Sequence, residues 1–136
     1  MEDQFKHSDV TELIIQAFYV VYNTLGYGFS EKIYENAMVL ELRRRGLKVI
    51  QQASLRVYYA GEVVGEYFAD LLVADAVIVE LKAVQVLLDQ HDAQLLNYLK
   101  ATAYEVGLLL NFGVKAQVKR KAFDNDRKGG LSWIKR

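Results

Sequence analysis

From Val10 to Leu42 the apolar residues recur at intervals of three and four. Val10, Leu13, Ile14, Ala17, Phe18, Val21 and Leu25 form one such series, which predicts a helix with a single buried face. It ends at the Gly26-Tyr27-Gly28 break. Ser30 is placed to cap a second helix, whose apolar positions Ile33, Ala37, Leu40 and Leu42 lead to Gly46. From Val49 the period shortens to two. Leu55, Val57 and Tyr59 alternate up to an Ala60-Gly61 turn, a second strand runs from about Val63 to Val73, and a third covers Ala76 to Ala83. Helical spacing returns from Asp89 to Thr102, Glu105 to Phe112 is an almost wholly apolar strand, and Gln117 to Phe123 is a further strand candidate. The order ααβββαβ(β) predicts an α/β fold with a largely buried central sheet.

Composition narrows the class. The chain has 136 residues, 52% of them hydrophobic, so residues 1–136 read as one domain that buries about two-thirds of its unfolded surface. There is no cysteine, which removes disulfides and thiolate zinc sites and suits a reducing compartment. Any metal must take oxygen or imidazole ligands. No N-terminal segment joins a basic start to an apolar run, and charges or amides break every long apolar stretch within about 18 residues. The expectation is a cytoplasmic protein with no membrane association.

The third strand carries an anomaly. In "DAVIVELKAV", Glu80 and Lys82 interrupt an apolar run. Side chains on a strand alternate, so these two project together on the side of Ile78, while Val77, Val79 and Leu81 face the other way. A mutual ion pair is one reading. Buried pairs stabilise poorly, because desolvating each ion costs several kcal/mol and often cancels the attraction. The preceding strand adds a second acid, Asp70, in "GEYFADLLVA". If the two strands are antiparallel about a turn near Asp75, Asp70 and Glu80 lie opposite each other. Two carboxylates close together in an apolar setting cannot both stay ionised cheaply, so a proton or a divalent cation joins them. Oxygen ligation with room for water and phosphate suits Mg²⁺ or Mn²⁺.

Asp70 followed by Glu80-Leu81-Lys82 resembles the PD-(D/E)xK nuclease superfamily, whose fold is restriction-endonuclease-like; Ala69 stands where that family usually has Pro. "GFSEKIY", Gly28 to Tyr34, has the spacing of the GxxExxY proteins, a branch of that superfamily. "QLLNY", Gln94 to Tyr98, has the Gln-x-x-x-Tyr spacing of RecB-type members. The resemblance implies a central mixed β-sheet flanked by helices and a Mg²⁺-dependent (or Mn²⁺-dependent) phosphodiesterase. It implies that Asp70, Glu80 and the Leu81 carbonyl hold the metal, with Glu31 as an additional acid, directly or through water. Lys82 would orient the attacking water or stabilise the pentacovalent charge, and Gln94 and Tyr98 would orient the lysine or hold a phosphate. Read from the residues alone, Glu31 is an acid favourably placed in a helix's first turn, Tyr34 shares its face, and Tyr98 and His91 fit a core position and a surface position. His91 lies three residues before Gln94 and is retained as a weaker candidate base, as Tyr34 is for the site.

Net charge is zero, yet residues 1–112 hold 9 Lys+Arg against 15 Asp+Glu and residues 113–136 hold 8 against 2. A basic tail is expected from about residue 124, and Arg43, Arg44, Arg45 and Lys48 close the second helix. With Lys119, Arg120 and Lys121 these are candidate phosphate contacts, although charge runs are also ordinary solvated faces. The expected substrate is nucleic acid, and DNA over RNA because most of the resembling superfamily acts on DNA. A small domain without an added recognition module is expected to dimerise or work with a partner protein. Two rival readings remain: a non-catalytic nucleic-acid-binding or protein-binding module on the same fold, and a hydrolase of small nucleotides, which lacks support from any Gly-rich phosphate loop.

Overall fold

The computed structural model describes residues 6–129. Three helices and five strands follow in the order α1 Ser8–Leu25, α2 Glu31–Arg44, β1 Val49–Tyr59, β2 Glu62–Val73, β3 Val77–Lys82, α3 Asp89–Ala101, β4 Val106–Phe112 and β5 Ala116–Ala122. A short 3₁₀ turn, Asn125–Arg127, follows. The strands form one sheet in the order β1-β2-β3-β4-β5. Each neighbouring pair is antiparallel except β3 and β4, which are parallel. A parallel pair needs a crossover, and α3 supplies it. The expected α/β order and mixed sheet are therefore present, and the segment near Gln117 is a full edge strand.

The helices divide the core into two layers. On one face α1 and α2 lay Ile14, Phe18, Tyr34, Met38 and Leu42 against Val77, Val79, Leu81, Leu108 and Leu110. On the other, α3 lays Leu95, Tyr98 and Leu99 against Ile78, Leu109, Leu55 and Ala69. Gly107 lets α3 sit close, because a β-carbon there would come 2.7 Å from Leu95. The buried stripe of α2 matches the expected one only in part. Ala37 packs against the core and Leu42 is buried, whereas Ile33 and Leu40 are 43% and 67% exposed, and the helix also buries Tyr34, Glu35, Met38 and Val39. Ser30 occupies the N-cap with no side-chain bond. The Tyr34 hydroxyl holds the entry loop, donating to the Gly26 carbonyl at 2.5 Å and accepting from the Phe29 N–H at 3.2 Å. Its ring stacks on Phe112 with centroids 4.2 Å apart.

The β1–β2 hairpin changes face part-way along. Val49, Leu71 and Val73 belong to the layer under α1 and α2, whereas Ala53, Leu55 and Ala69 belong to the layer under α3. The switch falls between the Gln51–Leu71 and Ala53–Ala69 pairs, where Gln52 holds φ 53°.

A clamp fixes the chain as it leaves β3. Asn111, fully buried, accepts the Val84 N–H at 3.0 Å and donates to the Val84 carbonyl at 2.9 Å and to Gln117 at 2.9 Å. Beside it, a β-carbon on Gly113 would lie 2.3 Å from the Val84 carbonyl oxygen. That contact is backbone and cannot swing aside. Gly113→Ala is expected to cost about 1–3 kcal/mol by overpacking, measured as a lowered urea midpoint; an unchanged midpoint would show that the β3 exit is not tightly held.

The region expected to be a basic tail is partly folded. Lys128 is buried, its ammonium donating to the Thr102 and Tyr104 carbonyls, and the Asn125 N–H donates to Glu105 at 2.7 Å. Lys135 and Arg136 lie outside the described residues. Among the described residues no helix is long and apolar enough to cross a membrane.

Candidate active site

The β2–β3 ladder pairs Val73 with Val77, Leu72 with Ile78 and Leu71 with Val79. The next rung would join Asp70 to Glu80, and there the side chains replace the ladder. The Asp70 N–H donates to Glu80 Oε2 at 2.8 Å, and the Leu81 N–H donates to Asp70 Oδ2 at 2.8 Å. Each carboxylate thus caps the other strand's backbone, and the two acids meet where the strands part. The expectation that they face each other rested on their positions about the turn, and the register places them so.

Burial governs their chemistry. Glu80 is 5% exposed; desolvation, then the negative charge of Asp70, pushes its carboxyl up to about 8 from 4.5. Asp70 is raised as well, chiefly by desolvation, with Glu35 adding to the rise. Lys82, half-buried, lowers both through space. Among the described residues no direct ion pair joins Lys82 to either acid, so the mutual Glu80–Lys82 pair is not formed.

The structure does not bring Glu31 to this pair: it is exposed in the first turn of α2. The acid on α2 that faces the site is Glu35, one turn later and 4% exposed. Its carboxylate accepts from Lys32 at 2.9 Å, from Gln51 at 2.6 Å and from Gln52 at 3.1 and 3.2 Å. Burial pushes the Glu35 carboxyl up, but these donors outweigh it and hold it below its ordinary value. Glu35 was missed because the apolar count on α2 began from Ile33; counted from Val39 and Leu42, it falls four and seven positions earlier, on the buried stripe.

From the other layer α3 contributes Gln94 and Tyr98. Gln94 donates to the Tyr98 hydroxyl at 3.0 Å. Tyr98 is pushed up to about 12 by burial and then by the charges of Glu80 and Asp70, which places its hydroxyl within their field. His91 serves the helix instead, its Nδ1 accepting the Leu88 N–H at 3.0 Å and so closing the start of α3. Tyr34 lies in the opposite layer as a core and loop anchor.

The basic candidates separate. Arg43 donates to the Val49 carbonyl, and Arg44 and Arg45 share Glu41. Lys48 pairs with Asp75 at 3.0 Å, at the start of β3 and about 16 Å along the strand from Glu80. The arginine cluster is therefore at the far end of the sheet. On β5, Arg120 donates to the Lys6 carbonyl. Lys119 and Lys121 pair with Asp92 of α3 at 3.2 and 3.7 Å. Register puts Glu80 beside Leu109 and Leu109 beside Lys119, so Lys119 lies in the same row as Glu80, about 10 Å away.

Among the described residues no three histidine or acidic side chains converge as a ready metal-binding group. The donor set nevertheless suits a hard cation: two carboxyl groups converge, each with an oxygen held by the other strand's backbone N–H, and such cations take carboxylate oxygens. A family model for the PD-(D/E)XK nuclease superfamily matches residues 8–121. The chain belongs to that superfamily. In this PD-(D/E)XK domain Asp70 on β2 and Glu80 and Lys82 on β3 lie within the matched residues. The crystal structure of SSO0001 shares the fold with a TM-score of 0.58 at 19% identity, over 91% of this chain. The chain spans 62% of that protein's length. No curated protein matches it in sequence.

Proposed function

We propose that this domain is a metal-dependent nuclease that hydrolyses phosphodiester bonds of nucleic acid, with DNA the expected substrate. The observation that carries this reading is the Asp70–Glu80 pair, a half-buried and a buried acid capping each other's strands with both carboxyls pushed up. A domain without chemistry would gain stability by replacing them, which weighs against a pure binding module. Asp70, Glu80 and the Leu81 carbonyl would hold Mg²⁺ or Mn²⁺. When bound, such an ion neutralises phosphate charge and acidifies a ligated water.

The chain's own groups do the rest. Lys82 leaves β3 beside the acids, unpaired with them, and is free to turn its ammonium to a phosphate oxygen or to the attacking water. Gln94 fixes the Tyr98 hydroxyl at the edge of the same field, where that hydroxyl stays protonated and can donate to a phosphate oxygen. The Asn111 clamp on Val84 sets the path of the chain just after Lys82. Lys119 and Lys121 extend positive charge from the site across the α3 face, with phosphate competing for them against Asp92.

The deciding experiment incubates purified protein with circular and linear, single- and double-stranded DNA and with RNA, in Mg²⁺, Mn²⁺ or chelator. Cleavage that requires the divalent ion supports the reading, and intact substrates in every combination would overturn it. Changing Lys119 and Lys121 together to Ala should reduce the slope of log affinity against log salt by about one to two. An unchanged slope would remove these lysines from the nucleic-acid interface.

A further inference from the structure

Among the described residues five non-glycine positions have positive φ: His7, Gln52, Ala60, Ala74 and Asp75. Four sit in turns or at a helix start. Gln52 alone lies inside a strand, and a side chain other than Gly, Asn or Asp in this region is uncommon. Strain of this kind persists only where the surroundings over-determine it, and it gathers at functional sites. Packing does not account for it, because Gln52 is exposed and belongs to neither core layer.

The side-chain amide does. Gln52 Nε2 reaches Glu35 Oε1 and Oε2 at 3.1 and 3.2 Å and Asp70 Oδ1 at 3.4 Å. One amide nitrogen thus sits between two carboxylates from different elements, at the position between Val49 and Val57 where the β1–β2 ladder skips a pair while keeping its register. Asp70 Oδ2 is already fixed by the Leu81 N–H, so Gln52 supplies the donor facing its other oxygen. It also joins Asp70 to Glu35, which Lys32 and Gln51 anchor on α2.

We infer that Gln52 is a positioning residue: its left-handed backbone exists to present an amide that brackets Asp70 against Glu35 and sets the carboxylate for cation binding. The inference rests on the nuclease reading above for its consequence in catalysis, but its first consequence is cation affinity. Groups that hydrogen-bond a metal ligand from behind are worth about 10–100-fold in affinity. Gln52→Asn tolerates the same backbone but is one carbon too short to bridge, and Gln52→Gly removes the bridge while relieving the backbone.

The test is titration calorimetry of the purified full chain with Mn²⁺, alongside the Mg²⁺ dependence of cleavage and a thermal melt. Both variants are expected to bind Mn²⁺ about tenfold or more weakly and to need correspondingly more Mg²⁺ for half-maximal cleavage. Gln52→Gly should melt no lower than the parent, which a purely structural residue would not allow. Parent-like Mn²⁺ affinity in either folded variant overturns the inference, as does a loss of affinity that tracks a fall in melting temperature across the pair. A parent that binds Mn²⁺ but cleaves nothing defeats the nuclease reading and leaves the calorimetric comparison standing.

Discussion

Asp70→Asn and Lys82→Ala are each expected to lower Mg²⁺-dependent cleavage by about 10²–10³-fold or more with the fold intact, the size seen when one preorganised charge is removed from a phosphate or oxyanion site. The two act differently. Asp70→Asn keeps an oxygen that can accept the Leu81 N–H and removes charge from the pair, but it turns an amide nitrogen towards the Gln52 donor, so the two effects offset and its stability should stay close to that of the parent. Lys82 has no direct ion pair with the acids, so its removal strands no partner; it only withdraws the field that lowers both carboxyls. A small stability change with a large activity loss is the signature of a group held for chemistry. Cleavage and thermal melts on the same preparations check both, and full activity in either variant would remove that residue from the mechanism. Lys82→Arg is a useful control, since a planar guanidinium does not replace a compact ammonium at a water or a single oxygen.

The second large effect is on stability against pH. Glu80 has its folded carboxyl raised to about 8 from 4.5, so the folded chain holds this proton more tightly than the unfolded chain. Its contribution is present in full below about pH 4.5 and is lost as pH rises through about 8. In chelator, urea unfolding should show stability falling from pH 5 to pH 8, by at most about 5 kcal/mol for a shift of this size. Asp70, also raised, adds to the same slope. Glu80→Gln cannot ionise and keeps an oxygen for the Asp70 N–H, so it should flatten the curve and exceed the parent at pH 8. Glu35 and Glu105 are lowered; their contributions are lost only as pH falls through the acid range, outside this window. Mg²⁺, which competes with the proton for the same oxygens, should restore the parent most at the alkaline end. A parent that gains stability from pH 5 to 8 in chelator would contradict the buried-pair electrostatics.

Much of this was legible in the chain. The three- and four-residue spacing gave the helices, the period-two stretches gave the strands, and the position of Asp70 and Glu80 on either side of one turn was enough to put them opposite each other. Legibility failed where a residue's role depends on a neighbour distant in sequence. Glu35 lies on the stripe that runs through Val39 and Leu42, and which stripe of α2 is buried is set by packing such as Tyr34 on Phe112. The bend at Gln52 has no sequence cue, since glutamine carries no preference for positive φ. Asn111 and Gly113 hide at the end of an apolar strand, and their need is set by Val84, reached through the loop before α3. The basic residues misled for a simpler reason: most direct their charge at carbonyls and acids of the same molecule, and of the basic candidates named for phosphate contact among the described residues, Lys119 and Lys121 are the two that share a sheet face with Glu80.

The crossed caps between Asp70 and Glu80 also make two peptide groups into sentinels. Because the amides of residues 70 and 81 point at carboxylate oxygens instead of across the sheet, anything that draws electron density from those oxygens weakens both bonds at once. In a nitrogen-15 spectrum these two resonances should therefore move together when the acids are titrated or loaded, a gauge of site occupancy wired into the main chain.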